Sequence, residues 1–287
     1  MELKHIETRL ARATTLPILS NVVTQLLLLT EDPSASARDY ERLIMQDAAL
    51  TAKILRTANS PYFGGNGNIT NLRRALTQVG NNSLRSICLT VSLQSALSTR
   101  NLNKAFQPAT FWLHSLGVAC AAKLLACLTH DQMQAESAFI AGLVHDIGKL
   151  ALCMFLPQEA DSVYALMRTK KISQYEAELE FLGVTHQDIG SMAAERWQLP
   201  CIYLSPIARH HEPVNPETGE IDRMTAYVHM GNILVHQIGL DMEMFKSSAT
   251  EPDPGVLELL NLSEQQYEAI RLALATEVQR LAGQMGL

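Results

Sequence analysis

Apolar residues recur along this chain at the helical period. Over 17–29, Ile18, Leu19, Val22, Val23, Leu26, Leu27 and Leu29 form one wide apolar face. Ser34 and Ser36 precede a mixed segment, 38–46, that reads as a second helix. Asp47 can cap a third, whose inner positions are Leu50, Ile54, Leu55 and Ala58. Gly64, Gly65 and Gly67 mark 59–68 as the clearest loop. A short helix over 69–79 closes at Gly80, and a longer one follows over 81–99. After a joint at 102–107 and Pro108, the spacing predicts helices over 109–128 and 132–156, the latter ending at Pro157. Further helices fall at 157–170, 173–182, 185–197, 200–210, 221–238 and 263–284. Thr185 with Asp188 makes a capping box, and Pro200 suits a first helical turn. Residues 212–219 read as a loop, and Pro252 and Pro254 lie in the last connection. No segment alternates at period two and no repeat of 20–50 residues is visible, so the expected fold class is all-α.

Composition narrows the function. The 287 residues carry a net charge of −6, and charged residues are 18% of the chain. An acidic balance argues against nucleic acid as the main partner and against docking on anionic lipid. Few aromatic residues leave no stacking platform for single strands, and neither glycine-rich nucleotide loop is present. Five scattered cysteines without a Cys-x-x-Cys read as reduced, buried thiols. The polar N-terminus shows no signal-peptide core. The longest apolar run, 139–156, holds His145, Asp146 and Lys149, and each charge in lipid would cost roughly 2.5–3.5 kcal/mol. It reads as a buried helix of a cytoplasmic protein with no membrane partner.

That run carries the chemistry. Lys149 follows Asp146 by three residues and His145 by four, so on one helix it stacks above both. Burying this group without partners is unfavourable, so side chains, water or a metal must satisfy it. His114, His186 and the adjacent His210 and His211 are the other candidates. His5, His130 and His236 read as surface residues. A lone helical histidine such as His114 is more often simply packed, and His210-His211 can simply end a helix. Imidazoles with a carboxylate otherwise suit zinc, iron, manganese or nickel, and such an ion could activate water against a phosphate ester.

The segment Ala141-Gly142-Leu143-Val144-His145-Asp146-Ile147-Gly148-Lys149-Leu150 resembles the signature of the HD phosphohydrolase superfamily. The wider pattern is similar to its relative, the HDOD family of bacterial signalling output domains. It includes Leu16-Pro17, the stretch from Gln46 to Ser60, Ile69 to Gly80, Phe111-Trp112-x-His114, Gly183-Val184-Thr185-His186, Trp197-x-Leu199-Pro200 and His210-His211-Glu212-Pro213. The resemblance covers about 14–238. It implies an N-terminal helical lobe over 1–100 packed on an HD-like helical lobe over 101–240, with a C-terminal helical extension over 241–287. It also implies a signalling role through a regulatory protein partner, a kinase or another signalling domain.

By the same resemblance, His114, His145, Asp146, His186, His210 and His211 match metal ligands for one or two divalent ions. Lys149 matches the lysine that holds substrate phosphate in HD-GYP phosphodiesterases, and with Asp146 would be catalytic if the chain is an enzyme. Departures count against catalysis. Asn232 stands where the last HD aspartate is expected, with His229 a conceivable substitute one turn earlier. Thr110 replaces the carboxylate of three-metal enzymes, and no Gly-Tyr-Pro follows His210-His211-Glu212. Three readings follow: a non-enzymatic signalling module with a partly retained metal site, a metal-dependent phosphohydrolase acting on phosphomonoesters, phosphodiesters or nucleotides, and a ligand-binding sensor using the 59–68 loop.

Overall fold

Helix α4 (Pro108–Leu128) is apolar around its whole circumference and accordingly lies in the core. In this computed structural model, residues 6, 8, 25, 26, 29, 32, 34–46, 48–63, 67–98, 106–197, 199–240 and 251–285 are described. Most of the expected helix over 17–29, Leu16-Pro17, Asp47 and part of the joint over 102–107 lie outside them. Among the described residues there are helices and no strand, so the fold is all-α as expected.

The chain divides into two compact units, one of Leu16–Arg100 with Thr276–Leu287, the other of Met1–Thr15 with Asn101–Ala275. The first holds α1 (Ala37–Ile44), α2 (Ala48–Ala58) and α3 (Leu72–Ser98). α1 and α2 both pack on α3, whose backbone leaves helical geometry at Gly80 (φ +82°). The 59–68 loop is tied by Asn59, whose Oδ1 accepts from the Ile69 amide at 2.8 Å while its Nδ2 donates to the Ile69 carbonyl at 2.8 Å.

The second unit holds α4, α5 (Ala135–Val144), α6 (Ile147–Phe155), α7 (Pro157–Lys170), α8 (Gln174–Leu182), α9 (His186–Arg196), α10 (Cys201–Arg209), α11 (Arg223–Gln237) and α12 (Pro254–Leu260). Helix α13 (Glu264–Met285) starts in this unit. α4 is sandwiched by α5 and α11, α6 packs on α9, and α10 bridges α9, α11 and α5. Capping residues set where these helices start. Ser173 and Glu176 form the box that opens α8, Thr185 and Asp188 the one that opens α9, and Asp222 accepts from the Thr225 amide at 2.9 Å to start α11.

Four expectations need correction. The single helix over 132–156 is a 3₁₀ turn, Gln132–Gln134, then α5 and α6 with a turn at His145 and Asp146. Asp146 (φ −92°, ψ 17°) leaves helical geometry and becomes the N-cap of α6. The connection with Pro252 and Pro254 contains α12, for which Asp253 caps and Pro254 takes the first turn. Pro200 is the N-cap of α10 rather than its first-turn residue. Of the free cysteines, Cys88, Cys120 and Cys153 are buried, but Cys127 and Cys201 are exposed. The stretches Pro108–Leu128 and Gln132–Phe155 have the length and hydropathy of membrane spans, yet 72% and 89% of their most apolar windows are buried inside the fold. They lie mostly in the core.

Candidate metal centre

Two close backbone approaches set the frame. A Cβ added at Gly148 would lie 1.8 Å from the His186 carbonyl oxygen, and one at Gly142 would lie 2.7 Å from the Ala119 backbone. Only glycine lets α6 touch the start of α9, and α5 touch α4, this closely. His114 on α4, His145 and Asp146 at the α5–α6 turn, His186 at the start of α9, and His210 and His211 at the end of α10 are thereby brought to one place.

Four rings are held from behind. His145 Nδ1 lies 2.7 Å from the Gly142 carbonyl oxygen, His210 Nδ1 3.1 Å from that of Pro206, and His114 Nδ1 3.3 Å from that of Leu240. His186 Nδ1 lies 2.7 Å from Glu178 Oε2. These oxygens accept, so Nδ1 carries the proton and donates it. In a neutral ring Nε2 is then bare. Burial favours the neutral form: it pushes His114, His210 and His211 down, and His145 to about 3.

The bare nitrogens converge on Asp146. Its Oδ2 lies 3.5 Å from His114 Nε2 and 3.4 Å from His145 Nε2, and its Oδ1 lies 3.3 Å from His186 Nε2 and 3.5 Å from His210 Nε2. Lys149 Nζ sits 2.9 Å from Oδ2. Burial would raise the Asp146 carboxyl, but the Lys149 ammonium holds it well below the usual carboxylate range. A carboxylate cannot donate to a bare nitrogen. Accordingly His114 Nε2, His145 Nε2 and both Asp146 oxygens are buried without a hydrogen bond, Asp146 meeting Lys149 as an ion pair.

This donor set fits a divalent cation. Two triads, His114–His145–Asp146 and His186–His210–His211, each bring their ligand atoms within 4.8 Å of one another. His186 Nε2 is 3.3 Å from His210 Nε2 and 3.1 Å from His211 Nε2. Donors at the ~2.0–2.1 Å typical of zinc, at tetrahedral angles, stand about 3.3 Å apart. Imidazole backed by a carbonyl or carboxylate is also the usual support of a metal-ligating histidine.

All seven candidates from His114 to His211, Lys149 included, therefore meet. Asn232 is buried on α11 and its Oδ1 has no hydrogen-bond partner. His229 cannot stand in for an aspartate: its Nδ1 donates to the His210 carbonyl at 2.8 Å and its Nε2 accepts from the Asp253 amide at 3.0 Å. His236 is half-buried with its ring 5.3 Å from that of His114, which corrects its reading as a surface residue. His130 is exposed, and His5 lies outside the described residues. Thr110 bonds Gln107 at the first turn of α4. Sequence reasoning missed Glu178, wholly buried behind His186, and Gln174, which donates to Glu178 Oε1 at 2.7 Å. The signal was present: Gln174 and Glu178 occupy stripe positions of α8 with Ala177 and Leu182, and an acid on an apolar stripe needs a partner.

Comparison with known proteins places the fold. The HDOD domain family matches residues 16–213. An HDOD domain protein of Geobacter sulfurreducens superposes with a TM-score of 0.80 at 24% identity, over 99% of this chain and 98% of that one. A candidate phosphohydrolase of Shewanella amazonensis superposes at 0.72 and 20% identity, over 96% and 98%. An uncharacterised protein of Treponema pallidum is 28% identical over 209 residues, 70% of this chain and 39% of its own. The cyclic di-GMP phosphodiesterase CdgJ of Vibrio cholerae is 30% identical over 122 residues, 42% of this chain and 27% of its own. The chain thus spans less than half the length of these two relatives. With its match extending over most of the sequence, the chain belongs to the HDOD domain family.

Proposed function

We propose that this chain is a regulatory HDOD module whose larger unit is organised by one or two divalent metal ions and which acts on a signalling protein partner. The observation that carries the metal reading is the convergence of bare, buried Nε2 atoms on a carboxylate that cannot donate to them. His114, His145 and Asp146 would hold one ion, and His186, His210 and His211 a second. Bound there, the two ions would supply concentrated positive charge, one tying α4 to the α5–α6 turn and the other α9 to α10, and would polarise a phosphate ester if one could reach them.

Access is the argument against hydrolysis. His114, His145, Asp146, Lys149, His186 and His210 are each at most 2% exposed, whereas a catalytic metal keeps an open position for water and substrate. Lys149 is engaged with Asp146, and an amide at position 232 is a weaker ligand than the expected aspartate. The hydrolase reading is favoured by one feature, the adjoining triads bridged through Asp146, an arrangement that suits clamping both oxygens of a phosphodiester. Activity against cyclic di-GMP is a property of the Vibrio relative, of which this chain covers 27%.

The test is elemental analysis of untagged protein purified without chelator, beside Asp146→Ala. Iron, zinc, manganese or nickel near one or two equivalents is the expected result, with the equivalent held by the Asp146 triad lost in the variant. The variant should also lose about 3–5 kcal/mol, because it removes one member of a buried ion pair. A native chain that neither carries nor takes up these ions rules the metal reading out. Metal-dependent hydrolysis in a screen of phosphomonoesters, phosphodiesters and nucleotides, absent in Asp146→Ala, would replace the regulatory reading with the enzymatic one.

A further inference from the structure

The two triads differ in where their negative charge comes from. In His114–His145–Asp146 the carboxylate belongs to the triad itself, and Lys149 Nζ stands 2.9 Å from it. In His186–His210–His211 the ligands are three imidazoles, and the carboxylate stands one step back. Glu178 is fully buried on α8. Its Oε2 accepts from the His186 amide at 2.6 Å and from His186 Nδ1 at 2.7 Å, while its Oε1 accepts from Gln174 Nε2 at 2.7 Å. Among the described residues its ion-pair contact is this histidine ring alone. A buried carboxylate is stable only when paired or tied to a metal. Here the route to a positive charge runs through the imidazole, whose far nitrogen faces His210 and His211 at 3.3 and 3.1 Å.

We propose that Glu178 is the positioning residue of the three-histidine triad. It fixes His186 as the Nδ1–H tautomer, aims the bare Nε2 at its two partners, and supplies the charge that makes this triad, rather than the one containing Asp146, hold its divalent ion more tightly. The inference rests on the metal reading above and goes beyond it by ranking the two halves and naming what ranks them. The double grip on ring and backbone explains why α8 packs its acid inward. Gln174, one turn earlier on the same face, keeps the carboxylate from rotating away. An outer carboxylate of this kind raises the basicity of the ligand nitrogen, and losing such a partner lowers metal affinity by about 10–100-fold.

The experiment is competition of Zn²⁺ against a chromogenic chelator in the full chain, with imidazole nitrogen NMR on the metal-free protein. The native chain should show one tight equivalent that survives His114→Ala and disappears in His211→Ala. Glu178→Gln should weaken that equivalent by about 10–100-fold with its helical signal intact, and should shift His186 away from the Nδ1–H tautomer. Glu178→Asp should recover part of both. Should Glu178→Gln fail to fold, Gln174→Met, which retains the charge, should give a smaller loss in the same equivalent. Unchanged affinity and tautomer in a folded Glu178→Gln would overturn the role of Glu178 while leaving the metal reading intact. A tight equivalent lost in His114→Ala and kept in His211→Ala would reverse the ranking. A native chain that takes up no Zn²⁺ overturns both readings together.

Discussion

The Nδ1 of His145 donates to the carbonyl three residues before it, and its Nε2 faces Asp146 Oδ2 at 3.4 Å. That the adjacent His-Asp in an apolar run needs partners was legible from residue type and the apolar run alone. The histidine tautomers were not, because each is decided by a carbonyl or carboxylate from elsewhere in the fold: Leu240 for His114, Glu178 for His186, Pro206 for His210. Depressed histidines also make a pH prediction. Burial puts the folded value of His145 at about 3 against 6.5 unperturbed, and lowers His114, His210 and His211. The unfolded chain therefore binds protons first as pH falls. This stability is complete above the unperturbed value and is lost on the way down towards about 3. The urea midpoint of the metal-free protein should drop between about pH 7.5 and about pH 5. A midpoint that stays level or rises would mean that the rings are already protonated in the fold.

At the scale of elements, the helical period located nearly every described helix, because each buries an apolar stripe that repeats in the sequence. It failed where the break is chemical rather than periodic. The run over 139–156 is apolar on both sides of His145 and Asp146, so nothing in its spacing marks the turn at Asp146 that separates α5 from α6. That turn lets the carboxylate face the cluster while Lys149, in the first turn of α6, reaches it. The contact of α6 with α9 is equally exacting. At Gly148 a methyl group would strike the His186 carbonyl oxygen and, at 2.7 Å, the Gly190 amide nitrogen, both of them backbone. Gly148→Ala should thus destabilise the protein by about 3 kcal/mol or more and, by displacing the start of α9, reduce metal content. Urea unfolding with elemental analysis measures both. Native stability in Gly148→Ala would show that α9 can yield without disturbing His186.

For the whole molecule, the triads join α4, the α5–α6 turn, α9 and α10, segments separated by up to about a hundred residues of sequence. Each ion held by a triad stabilises the folded state by mass action, about 4 kcal/mol when free ion is a thousandfold above its Kd. Chelation should therefore lower the melting temperature of the native chain, and returning Zn²⁺ should restore it. A melting temperature indifferent to chelator would leave the cluster without a structural ion. By itself the sequence determined the all-α class, most helix positions, the family and the residues that meet in the buried cluster, because periodicity, capping residues and side-chain types are properties of short stretches of chain. Only the tertiary structure decided that His229 is consumed by the backbone of His210 and Asp253, that His236 lies against His114, and that Glu178 stands behind His186. Those outcomes depend on which surfaces meet across long sequence separations, and local patterns do not encode such meetings.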